Sequence, residues 1–164
     1  MIYILTKLTI EIYTDGSCHT LCNIGAWASI LLLTDKKILL KGEEINTTNN
    51  RMELTAVIKA IEFVDENYKH SNIVIYTDSQ YVSRIPDRME KLKKNNFITK
   101  KGTSLQNCDL VKLLICQIEN NNIEFVKVKA HQKTLYDSQN TSINYNSEVD
   151  KLARQMVRES VIKQ

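Results

Sequence analysis

The stretch IEIYTDGS, residues 10–17, decides how the rest of the chain is read. Ile10, Ile12 and Thr14 alternate with Glu11, Tyr13 and Asp15, the period of a half-buried strand. On this reading the strand stops at the Asp15 carboxylate, because Gly16 admits a sharp turn. The letters IYTD return at 75–78, again closing an apolar run and again followed by small polar residues. Two such strands, parallel and adjacent, would hold Asp15 and Asp78 side by side. Like charges at that distance raise each other's pKa or call for a cation between them. Such an ion would need further ligands from the rest of the chain, and a substrate to act on.

Composition sets the frame. With 164 residues, 43% hydrophobic and 25% charged, the chain is expected to form one domain over 1–164 with a real core. A net charge of +3 is only mildly basic, so the placement of charge says more than its sum. Cys18, Cys22, Cys108 and Cys116 form no CxxC pair and read as reduced thiols. The N-terminus lacks a secretory pattern, and the longest apolar run, 25–33, is far below the ~20 residues that span a bilayer. A cytoplasmic, membrane-free monomer is expected, and the initial Met leans toward a free-standing protein.

Strands are expected over 8–14, 25–33 and 38–45, linked as an antiparallel meander, with a bulge favoured at Gly42. Residues 1–5 read as a frayed start, and 16–23 as a loop. The capping cluster NTTNN at 46–50 then opens a helix with the stripe Val57, Ala60, Ile61 and Val64. One turn before Val57, the same inward face carries Glu53, read as a first-turn acid. A fourth strand over 73–77 ends at Asp78 and can return parallel to the first through a helical crossover. Residues 79–82 open a short helix, and Pro86 starts the next. The segment 84–101 is basic. A helix over 109–118 presents Leu110, Leu113, Leu114 and Gln117 in register, and the AsnAsnAsn run at 120–122 ends it. A fifth strand follows over 123–128, then a long polar loop at 132–145. The last helix starts near Asn146 with the stripe Val149, Leu152, Ala153 and Met156, and Asp150 lies at the stripe's edge in its first turn.

Four acids thus sit at strand ends or helix starts. Open α/β sheets gather function beyond the carboxyl ends of their strands. Two unit charges roughly 4 Å apart repel by about 4 kcal/mol at an effective dielectric of 20. An oxygen-only cluster that offsets this favours hard ions, Mg²⁺ or Mn²⁺. His131, on the loop after the fifth strand, could shuttle a proton near the leaving group, although a lone histidine is more often incidental.

Six pieces of the chain resemble type 1 ribonuclease H: YTDGSC at 13–18, TTNNRMEL at 47–54, YTDSQYV at 76–82, QNCDL at 106–110, VKAH at 128–131 and NSEVDKLAR at 146–154. They follow that family's order and cover nearly all of 8–158. The resemblance implies an α/β fold, a mixed five-stranded sheet of three antiparallel and then two parallel strands flanked by helices. It implies an endonuclease that hydrolyses the RNA strand of RNA–DNA hybrids with two Mg²⁺ ions, Mn²⁺ substituting. The products are 5′-phosphate and 3′-hydroxyl ends, base preference is low, and the chemistry would serve removal of RNA primers and hybrids in replication or repair.

Carried over by position, Asp15, Glu53, Asp78 and Asp150 bind the metals, and His131 assists turnover. Cys18, Asn23, Asn49 and Gln80 approach the minor groove of the hybrid. Thr48 and Asn107 hold a phosphate of the DNA strand. The segment 84–101, with Arg88, Lys93 and Lys94, matches the family's substrate-binding projection.

The chain also departs from the family. The projection has Met89, Leu92 and Phe97 where tryptophans are usual, so weaker stacking on the DNA strand is expected. Asn46 and Ala130 replace a basic residue and a glycine, and the loop after His131 is long. No separate N-terminal hybrid-binding domain is expected, hence low processivity. Two rivals stand beside this reading: a DNA-cutting relative of the same fold, and a non-catalytic hybrid-binding module.

Overall fold

The computed structural model describes residues 7–129 and 144–163. Five strands form one mixed sheet: β1 (Thr9–His19), β2 (Ile24–Leu32), β3 (Lys37–Ile45), β4 (Asn72–Thr77) and β5 (Asn122–Lys127). Their spatial order is β3-β2-β1-β4-β5. β1, β2 and β3 pair antiparallel, and β4 pairs parallel with both β1 and β5. The helices are α1 (Asn49–Asn67), α2 (Gln80–Ser83), α3 (Ile85–Lys94), α4 (Cys108–Asn120) and α5 (Tyr145–Ile162). The expected α/β architecture is therefore observed. Among the described residues no helix is long and apolar enough to cross a membrane.

The main core lies between the sheet and α1 with α4. Ile10, Ile12, Ile73 and Ile75 meet Leu54, Val57, Ile58 and Ile61 there, with Val111 and Leu114 from α4. The stripe expected on α1 is buried in full. On the opposite face α5 covers the meander through Val149 and Ala153 against Ala28 and Ile30.

Four expectations need correction. β1 does not stop at Asp15 but runs on to His19, hydrogen-bonded to β2 all the way. Gly42 makes no bulge: pairing of β2 with β3 is one-to-one throughout, and the glycine makes room for Trp27. A Cβ at Gly42 would lie 2.7 Å from the indole nitrogen. On α4 the buried residues are Val111, Leu114, Ile115 and Gln117, while Leu113 is exposed, because the helix turns its Val111 face to α1. The run of asparagines does not end α4 as a block, since Asn120 is helical and Asn122 already starts β5.

The basic segment is α3 and the loop after it. Met89, Leu92 and Phe97 all pack against the main core rather than facing outward. Phe97 also lies under the Lys112 ammonium. These apolar residues therefore hold the projection to the body of the protein.

Candidate active site

The register of the central parallel pair brings two acids together. Tyr13 is level with Tyr76, so two positions further on Asp15 and Asp78 stand abreast. Asp15 lies on the sheet face that α5 covers, because its partner Ala28 packs with Val149 and Ala153. Pairing with β4 has ended at this level, whereas pairing with β2 continues, so the sheet forks at Asp15. Asp78 directly follows β4.

Glu53 arrives from α1. Thr48 caps this helix by accepting a hydrogen bond from the Arg51 backbone N–H at 3.4 Å. The helix therefore starts earlier than the apolar stripe suggests, and Glu53 lies in its second turn, not its first. What brings it to the rim is Gly16. A Cβ there would lie 2.3 Å from the Glu53 nitrogen and 2.4 Å from the Met52 carbonyl carbon. Gly16 is thus required by the close approach of α1 and not by a turn. Asp150 comes from α5, capped by Asn144, whose side chain accepts from the Ser147 N–H at 3.0 Å. It too lies beyond the first turn, where the only acid is Glu148.

The electrostatics register the convergence. Burial pushes Asp15 from its ordinary 3.8 up to about 8, helped by repulsion from Asp78, Glu53 and Asp150. Burial also raises Glu53, with Asp78 adding to it, while the side chains of Ser79 and Asn49 act the other way. The Asn49 amide donates to Glu53 Oε1 at 2.8 Å. Among the described residues Glu53 Oε2 is buried without a hydrogen-bond partner of good geometry. Asp78 accepts from the Asn146 amide at 3.4 Å, and Asp150 from Arg154 Nε at 2.6 Å. Among the described residues, no three acidic, His or Cys side chains have closed into a ready ligand shell. The four acids face one rim, each turned to its own partner. A half-satisfied Glu53 beside an Asp that holds a proton at neutral pH fits a hard cation, which would replace both deficits with oxygen–metal bonds.

Asp15 fixes the sign of a pH effect. Below about pH 4 it is protonated folded and unfolded, and nothing is lost. Above that, the unfolded chain releases a proton that the folded protein keeps until about pH 8. Stability of the metal-free protein should fall by about 1.4 kcal/mol per pH unit across this window and level off above it. Calorimetry in chelator, on wild type and Asp15→Asn, checks this. The difference in melting temperature between the two should widen from about pH 5 to about pH 8.

The remaining expected residues divide. Cys18 and Asn23 are joined to the approach of α1: Cys18 Sγ donates to the Thr47 carbonyl at 3.5 Å, and the Asn23 carbonyl accepts from Thr47 N at 3.1 Å. Thr48 caps α1, and Asn107 occupies the matching position before α4, with its Nδ2 buried and without a partner among the described residues. The two helix starts are tied by Arg51, which donates to both Asp109 oxygens at 3.0 Å. This fork also holds Asp109 below the usual carboxylate range. Gln80 is exposed at the start of α2, beside the Arg84 guanidinium. Arg88 and Lys94 are exposed on α3, and Arg88 lines a cavity of about 460 Å³ under the following loop. Lys93 is paired with Glu119 of α4 and Glu90, so it is tied into the protein surface. His131 lies outside the described residues, as does nearly all of the loop after it. Sequence reasoning left Arg51, Asp109, Asn146 and Arg154 without roles. The spacing of Asp150 and Arg154, four residues apart on a helix, was the one signal available for any of them.

The RNase H family model matches residues 7–158. The chain belongs to the ribonuclease H family. It is 36% identical over 152 residues to a ribonuclease H of Caldicellulosiruptor saccharolyticus, covering 92% of this chain and 97% of that one. It is 37% identical over 154 residues to a ribonuclease H of a Wolbachia species from Drosophila simulans, covering 93% and 98%. Among solved structures, LC9-RNase H1, described as a type 1 RNase H with the type 2 active-site motif, superposes with a TM-score of 0.77. That likeness spans 94% of this chain and 74% of the other at 20% identity, and it speaks for the fold alone. In this chain Asp15 lies on β1, Asp78 directly follows β4, and α1 and α5 carry Glu53 and Asp150.

Proposed function

We propose that the protein is a hybrid-specific endoribonuclease that cuts the RNA strand of an RNA–DNA duplex and leaves 5′-phosphate and 3′-hydroxyl ends. The observation that carries this reading is the burial of Asp15 within repelling distance of Asp78, Glu53 and Asp150, burial first and those charges second raising its carboxyl to about 8. These four side chains would hold two Mg²⁺ ions, with Mn²⁺ able to substitute. Such ions supply an activated water and stabilise the leaving oxygen.

The protein's own residues do the rest. Asp15 would have to release its proton to solvent to serve as a charged ligand. Asn49 and Asn146 steer Glu53 and Asp78 by their amides. The twinned starts of α1 and α4, with Thr48 and the Asn107 amide, would form an anion seat suited to a backbone phosphate. Cys18, Asn23 and Gln80 would approach the minor groove of the hybrid, where the 2′-hydroxyl separates RNA from DNA. Arg88 and Lys94 add sequence-blind attraction to phosphates. His131 is assigned to proton transfer near the leaving group.

The experiment compares labelled RNA–DNA hybrid, duplex DNA and duplex RNA in Mg²⁺. Only the RNA strand of the hybrid should be cut, with a rate that falls steeply as salt rises. Comparable cutting of duplex DNA would make the protein a DNA nuclease of the same fold. Tight hybrid binding with no metal-dependent product would make it a binding module.

A further inference from the structure

Three of the four carboxylates rest on neutral groups: Asp15 on the Gly16 backbone, Glu53 on Asn49 and Asp78 on Asn146. Among the described residues Asp150 alone of the four is held by a cation, with Arg154 Nε 2.6 Å from its Oδ1. The two lie one turn apart on α5, acid before base, the orientation that favours the contact. The Asp150 side chain is 20% exposed and that of Arg154 50%, so the arginine reaches the rim from its solvent side.

We propose that Arg154 is a resident counter-ion of the acidic rim, which occupies Asp150 until a divalent ion displaces it and thereby sets the metal concentration at which the site loads. The inference rests on the metal-centre reading above. A guanidinium keeps its charge at every working pH and only donates hydrogen bonds, so it competes with a metal for the same carboxylate oxygens. It also adds a positive charge beside the incoming ion, which opposes binding. An exposed pair four residues apart on a helix is weak, so the metal wins and the arginine only tunes it. Arg154 is therefore a positioning residue, acting through Asp150.

The test is a Mn²⁺ titration of the full chain without substrate, followed by the electron paramagnetic resonance of the free ion. Arg154→Gln should bind Mn²⁺ about two- to fivefold more tightly than wild type. Arg154→Lys, which keeps the charge, should stay near wild type, and Arg158→Gln, one turn further along α5, should be unchanged. In wild type, the Arg154 Nε–H resonance should shift as Mg²⁺ saturates the site, because its acceptor leaves. An Arg154→Gln protein with native circular dichroism but equal or weaker affinity overturns the proposal, as does a resonance that does not move. Equal tightening in Arg158→Gln overturns it too, since a general field effect would then suffice. If Asp15→Asn binds Mn²⁺ as wild type does, the metal-centre reading itself falls, a result distinct from failure at Arg154 alone.

Discussion

Asp15→Asn should abolish hybrid cleavage while raising the melting temperature of the metal-free protein. The two effects have one origin. Asp15 is buried among three other acids, and its ionised form is disfavoured there to the point that the proton stays until about pH 8. An amide of nearly the same shape carries no ionisation cost, so the variant's metal-free fold is the more stable one wherever the unfolded wild-type chain has lost this proton, from about pH 4 upward. The same amide offers one neutral oxygen where a hard cation needs a charged ligand. Loss of at least about a thousandfold in rate is expected, ~4 kcal/mol of transition-state stabilisation. The paired measurements are single-turnover cleavage of labelled hybrid and a thermal melt in chelator at about pH 8. Asp78→Asn, its neighbour across the fork, should lose activity alike. Retained cleavage in either variant would remove the proposed chemistry. Lost cleavage with a lowered melting temperature would point to damage to the fold.

Gly16→Ala should be the most harmful single methyl that can be added to the rim. The new carbon would meet backbone atoms of α1 at 2.3 and 2.4 Å, and no side chain can swing aside to relieve that. Either α1 moves away from β1, taking Glu53 with it, or the strand distorts beside Asp15. Overpacking of this kind costs about 1–3 kcal/mol, and the rigid neighbours here place it at or above the upper end. Urea unfolding should show that loss, and cleavage should fall with it because the acids no longer meet. Gly102→Ala is the contrast. Its φ of 77° strains an alanine, but the space around it is open, so a loss of only about 1 kcal/mol and normal cleavage are expected. Equal stability of Gly16→Ala and wild type would contradict the close approach of α1.

The two glycines that misled the sequence reading show where local pattern stops being informative. Gly16 reads as a turn because turns are the commonest local reason for glycine, whereas its cause is a helix 36 residues further on, at Met52. The strand therefore looked finished at Asp15 when it continued to His19. Gly42 reads as a bulge, yet its cause is the indole of Trp27 across the ladder. Alternation and apolar stripes, which depend on neighbours alone, placed every strand and the buried face of α1. Repetition of IYTD was enough to predict β1 and β4 as parallel neighbours with Tyr13 level with Tyr76, since parallel register follows from which residues must be buried. The Arg51–Asp109 fork, across 58 positions, has no local signature at all. Helix starts were placed a residue or two late because caps lie outside the apolar period, and this moved Glu53 and Asp150 from first turns to second.

Under the proposed function, one helix carries both a grip and a cutter. Thr48 caps α1 and Glu53 stands five positions along it, about 7.5 Å of axial rise in a rod that neither stretches nor bends over so short a span. The fork between Arg51 and Asp109 braces that rod at the gripping end, and Gly16 seats it at the cutting end. The protein then works as a caliper. A duplex whose phosphates present a different gauge can touch one jaw but not both, so the width of the nucleic acid is tested before any bond is broken.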